Sequence, residues 1–139
     1  MPNDEVSIAD GATFAVSDRL GDIVSDRGHG FFRSDTRFLS RFVLTLDGLA
    51  PRALTAGTTA HHTAKFYATN PELPSVEPAT LSVVRERRVT HQLSESISIT
   101  SHARRDVEFE VGIAFDADFA DIFEVHGHAT QSLPACMRA

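Results

Sequence analysis

Along much of this chain apolar side chains return at every second position. Val107, Phe109, Val111, Ile113 and Phe115 alternate with Glu108, Glu110, Gly112 and Ala114, the pattern of a strand with one dry face and one wet face. Residues 12–16, 39–46, 52–58, 61–68, 80–89 and 93–101 are short runs rich in β-branched or aromatic residues, and they read as further strands. Burying one face of a lone strand does not offset the entropy lost in ordering its backbone, so these segments need a facing layer. Asp47-Gly48 suits a tight hairpin turn because both residue types tolerate positive φ, and Asn70-Pro71, Pro74 and Pro78 mark a loop. The pattern predicts an all-β fold, an antiparallel β-sandwich of about seven or more strands.

Two stretches depart from that texture. Residues 21–30 hold three glycines and two aspartates and read as a surface loop. After Asp116 and Asp118, either able to cap a helix, Phe119, Ile122 and Phe123 fall at helical spacing, which predicts one short helix near residues 116–124. No internal repeat or low-complexity run divides the chain. The expected organisation is one β-sandwich domain over residues 1–127 and an irregular tail over residues 128–139.

Composition narrows the possibilities. With 139 residues, 42% hydrophobic and 23% charged, the chain can bury a core without disulfides or metal. Thirteen basic residues against nineteen acidic leave a formal charge of −6, which repels a phosphate backbone and argues against nucleic acid or an anionic membrane as partner. Residues 1–5 carry no basic stretch leading into an apolar run, and no apolar run is long enough to span a bilayer, so a cytoplasmic protein is expected. Cys136 is the only cysteine, which excludes an internal disulfide and any multi-cysteine metal centre.

The stretch Gly30-Phe31-Phe32-Arg33-Ser34-Asp35-Thr36-Arg37-Phe38-Leu39-Ser40-Arg41 resembles the G-[LF]-F-x-x-D-T-R-F-L-S-R signature of the N-terminal domain of bacterial and archaeal glycogen debranching enzymes, the amylo-α-1,6-glucosidase-like family. Residues 13–23 are similar to that family's opening strand and turn, and Thr69-Asn70-Pro71-Glu72-Leu73 to its T-N-P loop. Arg85-Glu86-Arg87 and residues 115–125 continue the likeness in the same order, so that it spans residues 10–127. The resemblance implies a β-sandwich that in full-length relatives precedes an α/α barrel bearing the catalytic carboxylates. On this reading the chain is a truncated or separately encoded front domain, with no catalytic residue of its own. A sheet edge left open beside residues 107–115 or 93–101 would then invite pairing with another chain.

Several residue groups are candidates for chemistry. Arg33, Arg37 and Arg41 with Asp35 set planar cations beside a carboxylate, suited either to gripping sugar hydroxyls or docking a barrel, or to an ion-pair network that orders the loop. Asp116, Asp118, Asp121 and Glu124 form the densest acidic group. Glycoside hydrolysis needs two carboxylates facing each other across a cleft about 5 to 9.5 Å wide, whereas these share one short segment, which favours capping and solvation. Tyr67, the only tyrosine in a chain without tryptophan, is the candidate for stacking on a pyranose ring.

His126 and His128 could share a strand face and touch a metal, but no third ligand is nearby, and His61 and His62 would point to opposite faces. Cys136 in a terminal tail lacks the packed setting of a reactive thiol. Gly28-His29-Gly30 lacks the later glycine of a dinucleotide loop. No metal or cofactor is therefore expected.

The sequence points to a non-catalytic accessory domain of a debranching-type enzyme, packing against a helical barrel and helping to position an α-glucan. The residues expected to carry that role are Arg33, Asp35, Arg37, Arg41, Asp118 and Asp121. The alternatives are a free-standing carbohydrate-binding module using Tyr67, or an inactive truncated gene product. Expected partners are an α-glucan, a barrel-bearing chain, or a second copy paired through an open sheet edge.

Overall fold

A computed structural model of the chain describes residues 5–24, 27–121 and 133–138. These form twelve strands: β1 (Val6–Asp10), β2 (Thr13–Ser17), β3 (Gly30–Arg33), β4 (Thr36–Leu39), β5 (Arg41–Leu46), β6 (Arg52–Ala60), β7 (Thr63–Thr69), β8 (Leu81–Val89), β9 (Leu93–Ser101), β10 (Val111–Ala117), β11 (Ala120–Asp121) and β12 (Leu133–Arg138). They make an all-β, antiparallel fold of three hydrogen-bonded sheets, ordered β1-β2-β3-β4-β11, β12-β10-β5 and β6-β7-β8-β9.

The first two sheets are one bent layer. β5 pairs with β10 on one side of the bend, and β4, which leads straight into β5, pairs with β11, which follows β10. The bend falls at Ser40, whose N–H donates to the Asp116 carbonyl (2.9 Å), and at Asp118-Phe119. Strands that turn a corner and change sheets in this way are how sandwiches close at their ends. Residues 39–46 are thus a strand on each side of a kink, where the apolar pattern predicted one.

The four-stranded sheet supplies the facing layer. Leu44 and Leu46 of β5 meet Ala68 of β7 and Leu81 and Val83 of β8, with Ile97, Ile99, Val111 and Ile113 packed around them. A second cluster joins Val6 and Ile8 of β1 and Ala15 of β2 to Ala64, Phe66 and Val89. Leu81, Val83 and Val89 share one face of β8, so that face passes from one cluster to the other. The two residues between, Arg85 and Arg87, lie on the same face and are buried.

Three expectations need correction. The predicted helix near residues 116–124 is absent from its described part: the chain runs as β10 to Ala117, and Phe119 has φ of 54°, which a right-handed helix does not accept. Its backbone is taken instead by ladders to β5 and β12, and residues 122–124 lie outside the described residues. The tail is not wholly irregular, because Leu133–Arg138 pairs with β10 from Gly112 to Ala117 and satisfies an edge that would otherwise be bare. Residues 21–30 are not simply a surface loop. Asp22, Ile23, His29 and Gly30 are buried, and Ile23 bridges to Phe42 through two backbone hydrogen bonds.

The strand at residues 107–115 begins later than its alternation implies. Val107 and Phe109 face the core, but the regular ladder starts at Val111. Asp47-Gly48 does form a tight turn, with both φ positive and paired hydrogen bonds between Leu46 and Leu49. It does not pair β5 with β6, since those strands belong to different sheets.

Candidate functional site

Arg37 is the centre of the corner. It sits on β4 opposite Phe32 of β3, and Phe32 stacks on Phe14 of β2 at 4.7 Å between ring centroids. Its side chain is 2% exposed. Nε donates to Asp118 Oδ1 at 3.2 Å, Nη2 pairs with Oδ2, and Nη1 donates to the His29 carbonyl at 3.0 Å. The Asp118 side chain is equally buried, so the pair forms a two-point bond out of water. It ties β4 to the connection between β10 and β11 at the point where both cross from one sheet to the other.

The sequence around it is shaped by that side chain. A Cβ on Gly30 would stand 2.5 Å from Arg37 Cδ and 3.0 Å from the Leu39 carbonyl oxygen, so Arg37 lies across a strand that must lack a side chain. Ser34 and Asp35 take φ of 51° and 65°, the geometry of a two-residue hairpin turn between β3 and β4. His29 beside it is buried; its Nδ1 accepts the Val24 N–H at 3.2 Å, which leaves the proton on Nε2, 3.6 Å from Glu5.

Of the arginines and acids singled out from sequence, Arg37 and Asp118 are the pair that meets among the described residues; His61 and His62, expected on opposite faces, lie in contact instead, with ring centroids 4.8 Å apart. Arg33, Asp35 and Arg41 are exposed, and among the described residues none of them makes an ion pair. Asp116 lies in β10 opposite Arg41, and Asp121 in β11 opposite Thr36. Tyr67 stands on the outer face of the four-stranded sheet, 39% exposed, beside a shallow depression of about 220 Å³ lined by Thr55, Gly57 and Lys65. His126, His128 and Glu124 lie outside the described residues. Cys136 falls within β12, opposite Ala114.

A second buried cluster is built on Arg85 and Arg87, which the sequence marks only through the family likeness. Arg85 and Arg87 point inward from β8 and share Glu95 of β9: Arg85 Nε reaches Oε2 at 2.8 Å, and Arg87 Nε reaches Oε1 at 2.5 Å. Arg85 also pairs with Asp22 (2.8 Å) and donates to the Leu20 carbonyl, while Arg87 donates to the Gly21 carbonyl at 2.6 Å. Both guanidinium groups lie over the Phe42 ring, and Arg87 also lies over Phe66. The turn at residues 18–22 is held for this contact by Asp18, whose Oδ1 accepts the N–H groups of Leu20 and Asp22.

Burial sets the ionisation of this cluster. It pushes the Asp22 carboxyl above its ordinary range, against the pull of Arg85. Burial also lowers Arg87, with Glu95 opposing and the neighbouring Arg85 adding to the effect. For Arg85 burial acts downward too, but the Glu95 and Asp22 carboxylates outweigh it and raise the guanidinium. Strict alternation on β8 places residues 85 and 87 on the Leu81–Val83 face, which was the available signal; charge obscured it.

The arrangement ties separate strands and turns together through buried ion pairs. Three buried carboxylates, Asp22, Glu95 and Asp118, are each bound by arginine. Another open depression, lined by Asp47, Pro74, Phe109 and Glu110 among others, lies at the sandwich's end, and there Asp47 accepts the Glu110 N–H at 2.7 Å. Among the described residues no group of three or more His, Cys, Asp or Glu is placed to hold a metal, and no helix is long and apolar enough to cross a membrane.

Compared with models of known protein families, residues 8–136 match the N-terminal domain of (some) glycogen debranching enzymes. The match runs past residue 127 and takes in most of β12. A search of curated proteins found no match.

Proposed function

We infer, since the chain belongs to the family of N-terminal domains of glycogen debranching enzymes, that it serves such an enzyme as a non-catalytic accessory domain. It packs against a catalytic α/α barrel of amylo-α-1,6-glucosidase type in the cytoplasm and helps to position the α-glucan. The observation that carries this reading is the fate of the buried carboxylates. Asp22, Glu95 and Asp118 are neutralised by Arg85, Arg87 and Arg37, so none is left to face a partner acid across a cleft, as glycoside hydrolysis requires.

The contact surface on this reading is the corner. Arg37 and Asp118 hold it rigid, and Arg33, Asp35 and Arg41 stand exposed around it, able to bond carboxylates or hydroxyls of a docked partner. The test is to combine the chain with a barrel-bearing chain of a debranching enzyme and measure association and α-1,6-glucosidase activity. Binding that weakens in an Arg33→Glu, Arg41→Glu variant supports the accessory role; no association and no gain in activity reject it.

A free-standing carbohydrate-binding module is the second reading, favoured by one observation: Tyr67 is exposed on an open sheet face beside a hydroxyl-bearing depression. Affinity electrophoresis on glycogen separates the two. Retardation of the isolated chain that Tyr67→Ala abolishes supports the module, and unchanged mobility supports the accessory domain.

A further inference from the structure

The sheets end on strands that differ in how they are guarded. β12 contains Pro134, and β11 is two residues long. The outer side of β5 is bridged by Ile23. β1 has five residues, and its Ala9 N–H is taken by the His61 carbonyl. β6 is long, but its pairing with β7 is broken by two register shifts, and the Arg19 guanidinium donates to its Ala56 carbonyl at 3.1 Å.

β9 has none of these protections. All nine residues pair with β8 in unbroken register, from Leu93 opposite Val89 to Ser101 opposite Leu81. It contains no proline, glycine, lysine or arginine. Its single charge, Glu95, turns inward and is bound by Arg85 and Arg87, which leaves the solvent face as Ser94, Ser96, Ser98 and Thr100. Among the described residues no backbone hydrogen bond from outside the β8 ladder reaches residues 94–100.

We propose that β9 is the pairing edge for a second copy of this chain, joined antiparallel about a two-fold axis at Ser98 into one eight-stranded sheet. The strand is complementary to itself in that register. Ser98 meets Ser98, Ser96 meets Thr100, and on the inner face Ile97 meets Ile99, so hydroxyls oppose hydroxyls and branched aliphatics oppose each other. Glu95 falls opposite Ser101, and no like charges meet. A two-fold axis one residue earlier would set Glu95 against Ile99 and Leu93 against Ser101, mixing charged with apolar. Symmetric pairing of identical patches also closes on itself and adds no further open edge at the junction.

The test uses the full chain. Sedimentation of a dilution series should show a monomer–dimer equilibrium. Ser98→Lys places two ammonium groups directly opposite each other and should weaken the dimer by about tenfold or more, since like charges juxtaposed in an interface cost several kcal/mol. Its thermal midpoint at low concentration should match the parent, because Ser98 is exposed.

Ser98→Cys in a Cys136→Ser background should form a disulfide-linked dimer on mild oxidation, as directly opposed strand residues lie within disulfide reach. Thr55→Cys on β6 should not. A chain that stays monomeric at all concentrations overturns the proposal, as does a dimer indifferent to Ser98→Lys or a Ser98→Cys variant that fails to cross-link.

Discussion

Arg37 and Asp118, 81 residues apart in sequence, meet as a two-point ion pair with both side chains 2% exposed. The pair joins two strands at the bend they share, so its contribution is to geometry as much as to energy. Removing one partner deprives the other's buried charge of its two-point bond. Asp118→Asn should therefore cost about 3–5 kcal/mol, read from urea unfolding. Arg37→Met with Asp118→Leu should cost less than the single change, because neither buried charge of the pair remains; a double variant less stable than Asp118→Asn would refute this account.

Gly30 and Gly57 both lie in strands, yet should respond in opposite directions to alanine. At Gly30 the new methyl group would collide with the Arg37 stem, whose far end is anchored by Asp118 and cannot swing aside. Gly30→Ala should lose about 1–3 kcal/mol. Around Gly57 nothing lies within 4 Å of the added carbon, so Gly57→Ala should be neutral or gain up to about 1 kcal/mol by restricting the unfolded chain. Equal effects at the two positions in thermal melts would rule out the crowding explanation.

Glu95 and Glu86 are both glutamates with a cationic partner, and only burial separates them. Glu95 is the shared counter-charge of Arg85 and Arg87, so Glu95→Gln should cost about 3–5 kcal/mol. Glu86 sits 3.9 Å from Lys65 with both side chains well exposed, and Glu86→Gln should change stability by less than about 1 kcal/mol. Chemical denaturation of the two variants side by side gives the comparison.

Asp22 imposes a pH dependence of unusual sign. Its folded-state pKa lies above the ordinary 3.8, chiefly through burial, so over the window above 3.8 the folded chain holds a proton that the unfolded chain has released. Its contribution is therefore largest below that window and declines as pH rises through the folded-state value. The stability difference between the parent and Asp22→Asn should shrink as pH rises above 3.8. A difference that grows over that range would mean that Arg85 outweighs burial.

Alternation of apolar and polar residues was sufficient to determine the all-β class, the position of β7, β8 and β9 to within two residues, and the tight turn at Asp47-Gly48, because side-chain period and turn chemistry are local properties. The phenylalanine- and arginine-rich run from residue 30 to residue 41 likewise pointed to a family on sequence alone. What that run does was decided only by the tertiary structure. Whether Asp118 caps a helix or binds Arg37 depends on a partner 81 residues away, and the ladders flanking β10 favour strand over helix there. Arg85 and Arg87 look solvent-facing by residue type, yet their position on the inner face of β8 buries them, and they are tolerated because Glu95, Asp22 and the turn at residues 18–22 converge on them from other elements. Burying a charge is costly unless its partners are already in place, and such partners are assembled only by folding of the whole chain.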